Sequence, residues 1–165
     1  MTPSRKKNRL ESFLYQEGYF FVTINVQDRK RVFGEIVDEK MILNQYGKIV
    51  EDCWRDLPNH YANCWLADFV IMPNHFHAII SVEKISVCDV GEGFKPSLTP
   101  GHGLFEIIRW FKTFSSRKIH ASWFSDFQRQ RSFYDHVIRN DKDMERIQEY
   151  IWLNPYEREN DEYYK

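Results

Sequence analysis

A ten-residue run at positions 71–80 constrains the fold more than any other part of the chain. It reads Ile-Met-Pro-Asn-His-Phe-His-Ala-Ile-Ile, with a turn-like Pro-Asn pair ahead of an apolar stretch that carries two histidines. Side chains alternate between the two faces of a strand, so a strand over 75–82 places His75 and His77 on one face and Phe76 on the other. The run therefore predicts a sheet that packs one face on a core and presents two imidazoles side by side on the other.

Neighbouring imidazoles on a rigid strand are a potential pair of metal ligands. The alternative is a solvated sheet face that happens to carry two histidines. The His75-Phe76-His77 triplet alone gives these two interpretations about equal weight, so the rest of the chain has to separate them.

Hydrophobic periodicity predicts seven elements in the order β-α-β-β-α-β-α. Aromatic and β-branched residues indicate strands over 19–26, 65–72, 75–82 and 132–138. Apolar residues at helical spacing indicate helices over 44–57, 104–120 and 140–154. The first six elements match the ferredoxin-like, split β-α-β pattern: an α+β fold with an antiparallel sheet and two helices on one face. Only the last helix is then left to cover the face that carries the histidines.

Polar and proline residues set the predicted helix ends. Asn44 and Asn140 are good N-caps, and Asp143 lies three residues after Asn140 as in a capping box. Pro58 is expected to close the first helix, and Pro155 the last, because proline cannot continue a helix.

Length and composition indicate one domain of 165 residues. We expect a basic arm over 1–17, a mobile loop over 83–103 that is rich in glycine and proline, and a charged tail over 156–165. The net charge is −1, and the three cysteines show no CxxC spacing. We see neither a signal peptide nor an apolar stretch long enough to span a bilayer, so we expect a cytoplasmic protein without a disulfide framework or a membrane partner.

The last predicted helix carries a phenol and a carboxamide on one face, because Tyr150 and Asn154 are four residues apart. Two neutral histidines and an asparagine oxygen make an open three-ligand site, with positions left for water or phosphate oxygens. A tyrosine one turn from that asparagine would lie near the metal. Its attack on a phosphodiester would store the bond energy in a phosphotyrosine.

Three segments resemble one protein family, the single-tyrosine HUH transposases, and within it the REP-associated tyrosine transposases. Residues 72–79 resemble the histidine–hydrophobic–histidine signature, residues 148–155 resemble the tyrosine helix, and residues 133–140 resemble the segment before it. The resemblance covers roughly 15–157 and is strong because the motifs occur in the family's order and spacing.

The resemblance implies an enzyme that cleaves and rejoins single-stranded DNA, often near hairpins, with Mg²⁺ or Mn²⁺. By that match His75, His77 and Asn154 are the metal ligands and Tyr150 is the nucleophile, which yields a 5′-phosphotyrosine and a free 3′-hydroxyl. Relatives act as monomers or as homodimers. Tyr134 is the main competitor for the role of nucleophile.

Basic residues supply candidate DNA contacts. A stripe on the helix over 104–120 is usually a solvated face, yet it is also a plausible track for a phosphate backbone. The candidates are Arg109, Lys112, Arg117, Lys118, Arg129 and Arg131. His136 is a possible second-shell residue of the metal site, although a structural role is favoured.

Three other functions remain open. The chain could be a catalytically idle or domesticated protein that binds hairpin DNA, or a nickase similar to HUH replication initiators. It could also be a metal-carrying structural or small-molecule enzyme domain with no affinity for DNA. Metal-dependent cleavage and salt-dependent binding of single-stranded DNA separate these alternatives.

Overall fold

The computed structural model describes residues 17–84 and 103–156. Apart from their boundary residues, the expected basic arm, mobile loop and charged tail lie outside the described residues. The strands are β1 (Gly18–Asn25), β2 (Gly34–Val37), β3 (Lys40–Leu43), β4 (Cys64–Ile71), β5 (His75–Val82) and β6 (Tyr134–Ile138). The helices are α1 (Gln45–Arg55), α2 (Leu57–His60), α3 (Leu104–Ala121) and α4 (Asp141–Leu153).

Four of the strands form one sheet in the order β4-β5-β1-β6, and every neighbouring pair is antiparallel. This is the strand order of the ferredoxin-like fold, so the predicted fold class is confirmed. β5 and β1 are central, and all eight residues of β5 are buried. β5, which carries both histidines, is therefore hydrogen-bonded to a neighbouring strand on each side.

Helices α1 and α3 pack on one face of this sheet, as the two apolar stripes predict. Phe76 of β5 points toward them, with its ring centroid 4.8 Å from that of Trp54 on α1 and 5.5 Å from that of Phe111 on α3. These aromatic side chains are fully buried and lie in the larger apolar core. Asn44 caps α1 as expected, accepting hydrogen bonds from the backbone N–H groups of Tyr46 and Gly47.

The prediction that Pro58 closes the first helix was wrong. α1 already ends at Arg55, and Pro58 lies in the first turn of the short helix α2. Proline fits there because the first backbone N–H groups of a helix have no intrahelical acceptor.

The connection over 27–43, where at most a short strand was expected, contains the hairpin β2–β3. Its two turn residues, Asp38 and Glu39, have φ angles of 46° and 61°. Such left-handed turns usually use glycine or asparagine, so this sequence carries little signal for the hairpin.

Helix α4 covers the opposite face of the sheet, where the histidines lie. Ile147 and Ile151 pack in a second apolar cluster with three sheet residues, Phe21, Ile79 and Ile138. The side chain of Asn140 accepts a hydrogen bond from the backbone N–H of Asp143, which confirms the predicted N-cap.

Candidate metal and nucleophile site

His75 and His77 lie on the same face of β5, beneath α4. Their ring centroids are 4.5 Å apart with the planes at 69°, and both side chains are fully buried. The alternative of a solvated face with two histidines is excluded by this burial.

Each imidazole is oriented through its Nδ1 atom. Nδ1 of His75 lies 2.7 Å from Oδ1 of Asn74, which accepts its hydrogen bond. Nδ1 of His77 lies 2.8 Å from the hydroxyl oxygen of Thr23 on β1. A proton on each Nδ1 leaves the Nε2 lone pair to act as a ligand or a base, and partners of this kind commonly fix metal-binding histidines.

Tyr150 of α4 reaches this pair within the same chain. Its hydroxyl lies 3.2 Å from Nε2 of His77, and the two ring centroids are 5.2 Å apart. The ring of Phe21 completes the contact: it stacks on His77 at 5.3 Å and meets Tyr150 edge-on at 6.0 Å. The phenol is therefore held between an imidazole and an apolar ring.

Asn154 ends α4 one turn after Tyr150, a rise of about 6 Å along the helix axis. It is buried, and neither polar atom of its carboxamide has a hydrogen-bond partner among the described residues. Burying an unsatisfied amide costs about 1–3 kcal/mol, so this side chain is better explained by a ligand than by the fold.

The donor set fits a divalent metal ion. Imidazole suits Mn²⁺, Co²⁺, Ni²⁺ and Zn²⁺, and a carboxamide oxygen suits harder ions such as Mg²⁺. Within residues 17–84 and 103–156, no group of three or more His, Cys, Asp and Glu side chains could hold a metal. In that part of the chain, a third protein ligand beside the histidine pair would be of another type, as the Asn154 carboxamide would be.

Three polar contacts fix α4 on the sheet. Asp68 of β4 accepts hydrogen bonds from Gln148 Nε2 at 2.7 Å and Trp152 Nε1 at 2.9 Å. At the other end of the helix, Nε2 of His136 on β6 donates to the Asp143 carboxylate at 2.7 Å. The predicted second-shell candidate His136 thus anchors the start of α4, whereas Asn74 and Thr23 orient the two histidines.

Sequence reasoning did not assign roles to Asp68, Thr23 and Asn74. Asp68 is a charged residue within an apolar strand, which is a usable signal. The direction of the Asp68 side chain depends on a β-bulge between Leu66 and Phe69, where two residues of β4 lie opposite one residue of β5. Thr23 reaches His77 only through the register of β1 on β5.

Two of the six candidate DNA-binding cations, Lys112 and Arg129, donate hydrogen bonds to other groups of the protein. Lys112 Nζ donates to the backbone carbonyls of Gln130, Arg131 and Ser132 at 2.6, 2.9 and 3.2 Å. Burial, helped by the nearby Arg129 charge, lowers the pKa of Lys112 to about 8. Lys112 therefore ties the segment before β6 to α3.

Arg129 lies among three aromatic rings. Its guanidinium carbon is 5.7, 5.5 and 5.1 Å from the ring centroids of Phe33, Phe111 and Phe127, respectively. It also donates to the Ser115 hydroxyl at 2.6 Å, and burial lowers its pKa to about 10. Arg129 is partly buried and packs against the apolar core on the side of the sheet that α1 and α3 cover.

The other four candidates, Arg109, Arg117, Lys118 and Arg131, have exposed side chains. Arg109 and Arg131 line a cleft of about 540 Å³ between α3 and residues 129–133. Since α3 packs on the face opposite the histidines, this cleft is separated from the histidine site by the sheet.

The protein is an α+β protein with an antiparallel ferredoxin-like sheet, and the two histidines of that sheet lie under a tyrosine-bearing helix. Two solved structures share this fold. One is a REP-associated tyrosine transposase bound to a REP hairpin, 20% identical, with a TM-score of 0.60 over 96% of this chain and 74% of that one. The other is a candidate transposase from Deinococcus radiodurans, 13% identical, with a TM-score of 0.52 over 91% and 96% of the two chains. The resemblance to the single-tyrosine HUH transposases is thereby confirmed at the level of the fold.

The sequence comparison finds a protein with higher sequence identity to this chain than either of these two structures has. The chain is 34% identical over 173 aligned positions to an uncharacterized protein of Haemophilus influenzae, covering 97% of this chain and 93% of that one. It belongs to the same family as that protein. No established family profile matches the chain. Among the described helices, none is long and apolar enough to cross a membrane.

Proposed function

We propose that this protein is a metal-dependent transposase that cleaves and rejoins single-stranded DNA, at hairpin-associated sequences, through a 5′-phosphotyrosine on Tyr150. The observation that carries the proposal is the 3.2 Å contact between the Tyr150 hydroxyl and His77 Nε2. The buried, unsatisfied carboxamide of Asn154 one turn later supports a metal ion at the same place. The transposase with the same fold that is bound to a REP hairpin supports DNA as the substrate.

His75, His77 and Asn154 would hold the ion, which would withdraw charge from the scissile phosphate and orient it. The Tyr150 oxygen attacks the phosphorus, the bond from phosphorus to the 3′ oxygen breaks, and the 3′ oxygen leaves with a proton as a hydroxyl. The phenol loses its own proton to a base as it attacks. Attack of a 3′-hydroxyl on the phosphotyrosine reverses these steps and joins strands.

His77 Nε2 has two competing uses in this scheme. The nitrogen that would bind a metal is the one that accepts the Tyr150 hydrogen bond, and one lone pair serves one partner at a time. Without a metal, Nε2 is placed to accept the phenol proton. A metal at Nε2 would displace the hydroxyl from that nitrogen, and the hydroxyl would then be available to a phosphate.

We infer that Tyr150 acts on the site of its own chain. The support is that α4 reaches the histidine face of its own sheet, where it contacts Asp68, His136 and Phe21. The four exposed cations Arg109, Arg117, Lys118 and Arg131 are proposed as phosphate contacts away from the catalytic face.

The test is a cleavage assay on hairpin-flanked single-stranded DNA with Mn²⁺, with Mg²⁺ and with a chelator. We expect a covalent adduct on the wild type that needs the metal and disappears in Tyr150→Phe, while DNA binding remains. Tyr46→Phe is the matched control because Tyr46 lies on α1, across the sheet. Binding without cleavage would favour the domesticated hairpin-binding protein, and no affinity for DNA would exclude both functions.

A further inference from the structure

We propose that Tyr134 is a stacking platform for an unpaired nucleobase next to the scissile phosphate. This inference rests on the proposed function and assigns a binding subsite within it. Tyr134 is the first residue of the edge strand β6, and half of its surface is exposed.

The strand register places Tyr134 in the same cross-strand row as His77. Thr23 of β1 pairs with His77 on one side and with Tyr134 on the other. Paired residues of neighbouring strands point to the same face, so all three side chains lie on the face that α4 partly covers. With strands about 4.8 Å apart, the backbones of Tyr134 and His77 are about 10 Å apart, a distance on the order of one nucleotide.

Phe21 connects Tyr134 with Tyr150. Its buried ring meets Tyr134 edge-on, with centroids 6.4 Å apart and planes at 70°, and it also contacts His77 and Tyr150. One edge of the Tyr134 ring is therefore fixed against the ring that supports the nucleophile, while half of the side chain remains open to solvent. A base stacked on Tyr134 would lie beside the phosphate that Tyr150 attacks.

The ligand chemistry follows from the ring. An exposed phenol with a buried aromatic neighbour offers an uncharged π surface, which suits a base better than a phosphate. Aromatic platforms stack any of the four bases, so this subsite would contribute affinity and alignment of the strand rather than sequence readout. Tyr134 is too far along the row to replace Tyr150, because Thr23 lies between it and His77.

Tyr19 gives a matched control. It lies on the same face of the same sheet and is 48% exposed, against 50% for Tyr134. It pairs with Ser81 at the far end of β5, four residues from His77. A general loss of exposed aromatic surface would affect the two positions equally, whereas a subsite beside the phosphate concerns Tyr134 alone.

The experiment measures binding of a single-stranded oligonucleotide that carries the fluorescent base 2-aminopurine, with every variant made in the Tyr150→Phe background to prevent cleavage. Tyr134→Ala and Tyr134→Leu should each weaken binding about tenfold and lose the quenching of 2-aminopurine, while Tyr134→Phe and Tyr19→Ala stay near the parent. The leucine variant keeps apolar packing on Phe21, so a weakening shared by both variants is not a folding defect. The slope of log affinity against log salt should stay unchanged, since stacking releases no counterions.

Two results would overturn the inference. If Tyr134→Ala and Tyr134→Leu bind the oligonucleotide as tightly as the parent, the subsite does not exist, although the proposed function stands. If Tyr134→Phe also weakens binding, the hydroxyl rather than the ring makes the contact. Absence of DNA binding by the parent protein itself would instead refute the proposed function, and this inference with it.

Discussion

Replacing Tyr150 with phenylalanine should strengthen metal binding, even though it should abolish the proposed cleavage. The Tyr150 hydroxyl donates to His77 Nε2 at 3.2 Å, and the proposed metal ion would need that same lone pair. A hydrogen bond of this kind contributes about 1 kcal/mol net, so its removal should raise metal affinity roughly fivefold. The ring keeps its edge contact with Phe21, and little change in stability is expected.

Isothermal titration of Mn²⁺ into the wild type, Tyr150→Phe and the control Tyr46→Phe measures this effect without DNA or turnover. We expect tighter binding in Tyr150→Phe alone. Equal or weaker binding there would mean that the hydroxyl does not compete with the metal for His77. Asn154→Ala should weaken binding in the same titration, and unchanged affinity would remove Asn154 from the ligand set.

Three other variants probe the supporting residues. Thr23→Val removes the partner of His77 Nδ1 and should lower Mn²⁺ affinity about tenfold by titration, as is usual for residues that orient metal ligands; unchanged affinity would show that packing alone orients the ring. Asp68→Asn leaves Gln148 and Trp152 with a poorer hydrogen-bond acceptor. Backbone amide hydrogen exchange in α4 should therefore be faster than in Glu149→Gln, a control on the exposed face of the same helix. Equal exchange rates in the two variants would contradict this. Lys112→Met deprives three carbonyls of their donor and should lower the free energy of unfolding by about 1–3 kcal/mol in urea, against little change in Arg117→Met. Because the pKa of Lys112 falls from 10.5 to about 8 on folding, the unfolded chain binds more protons in that window. The wild type should therefore gain stability relative to Lys112→Met as the pH rises from 8 to 10.5, and a parallel pH dependence would refute the shift.

The fold was predictable because its determinants are periodic. The alternation at His75-Phe76-His77 decides which face of β5 is core, and the apolar stripes of α1 and α3 decide where the helices pack. The hairpin β2–β3 was not predictable in the same way, because its turn uses Asp38 and Glu39 in conformations that glycine normally adopts.

The site was predictable only where its residues are close in sequence. The spacing of Tyr150 and Asn154 places them on one face of α4, and Asn74 adjoins His75. Contacts that depend on strand register or on a bulge, such as those of Thr23 and Asp68, have no local signature. The same limit explains the inward direction of Lys112, whose acceptors lie eighteen to twenty residues further along the chain.

The structure divides the chemistry between the sheet and the helix. Asn74, in the turn between β4 and β5, orients His75, and Thr23 of β1 orients His77; both side chains are buried. The helix supplies Tyr150 and Asn154, and it is fixed to the sheet by contacts that include the solvent-exposed hydrogen bond from Trp152 to Asp68. Exposed hydrogen bonds contribute less than buried ones, so the position of Tyr150, the proposed nucleophile, is the more easily altered half of the site. Substitutions in the sheet should therefore act first on metal affinity, and substitutions along α4 should act first on cleavage with the metal still bound.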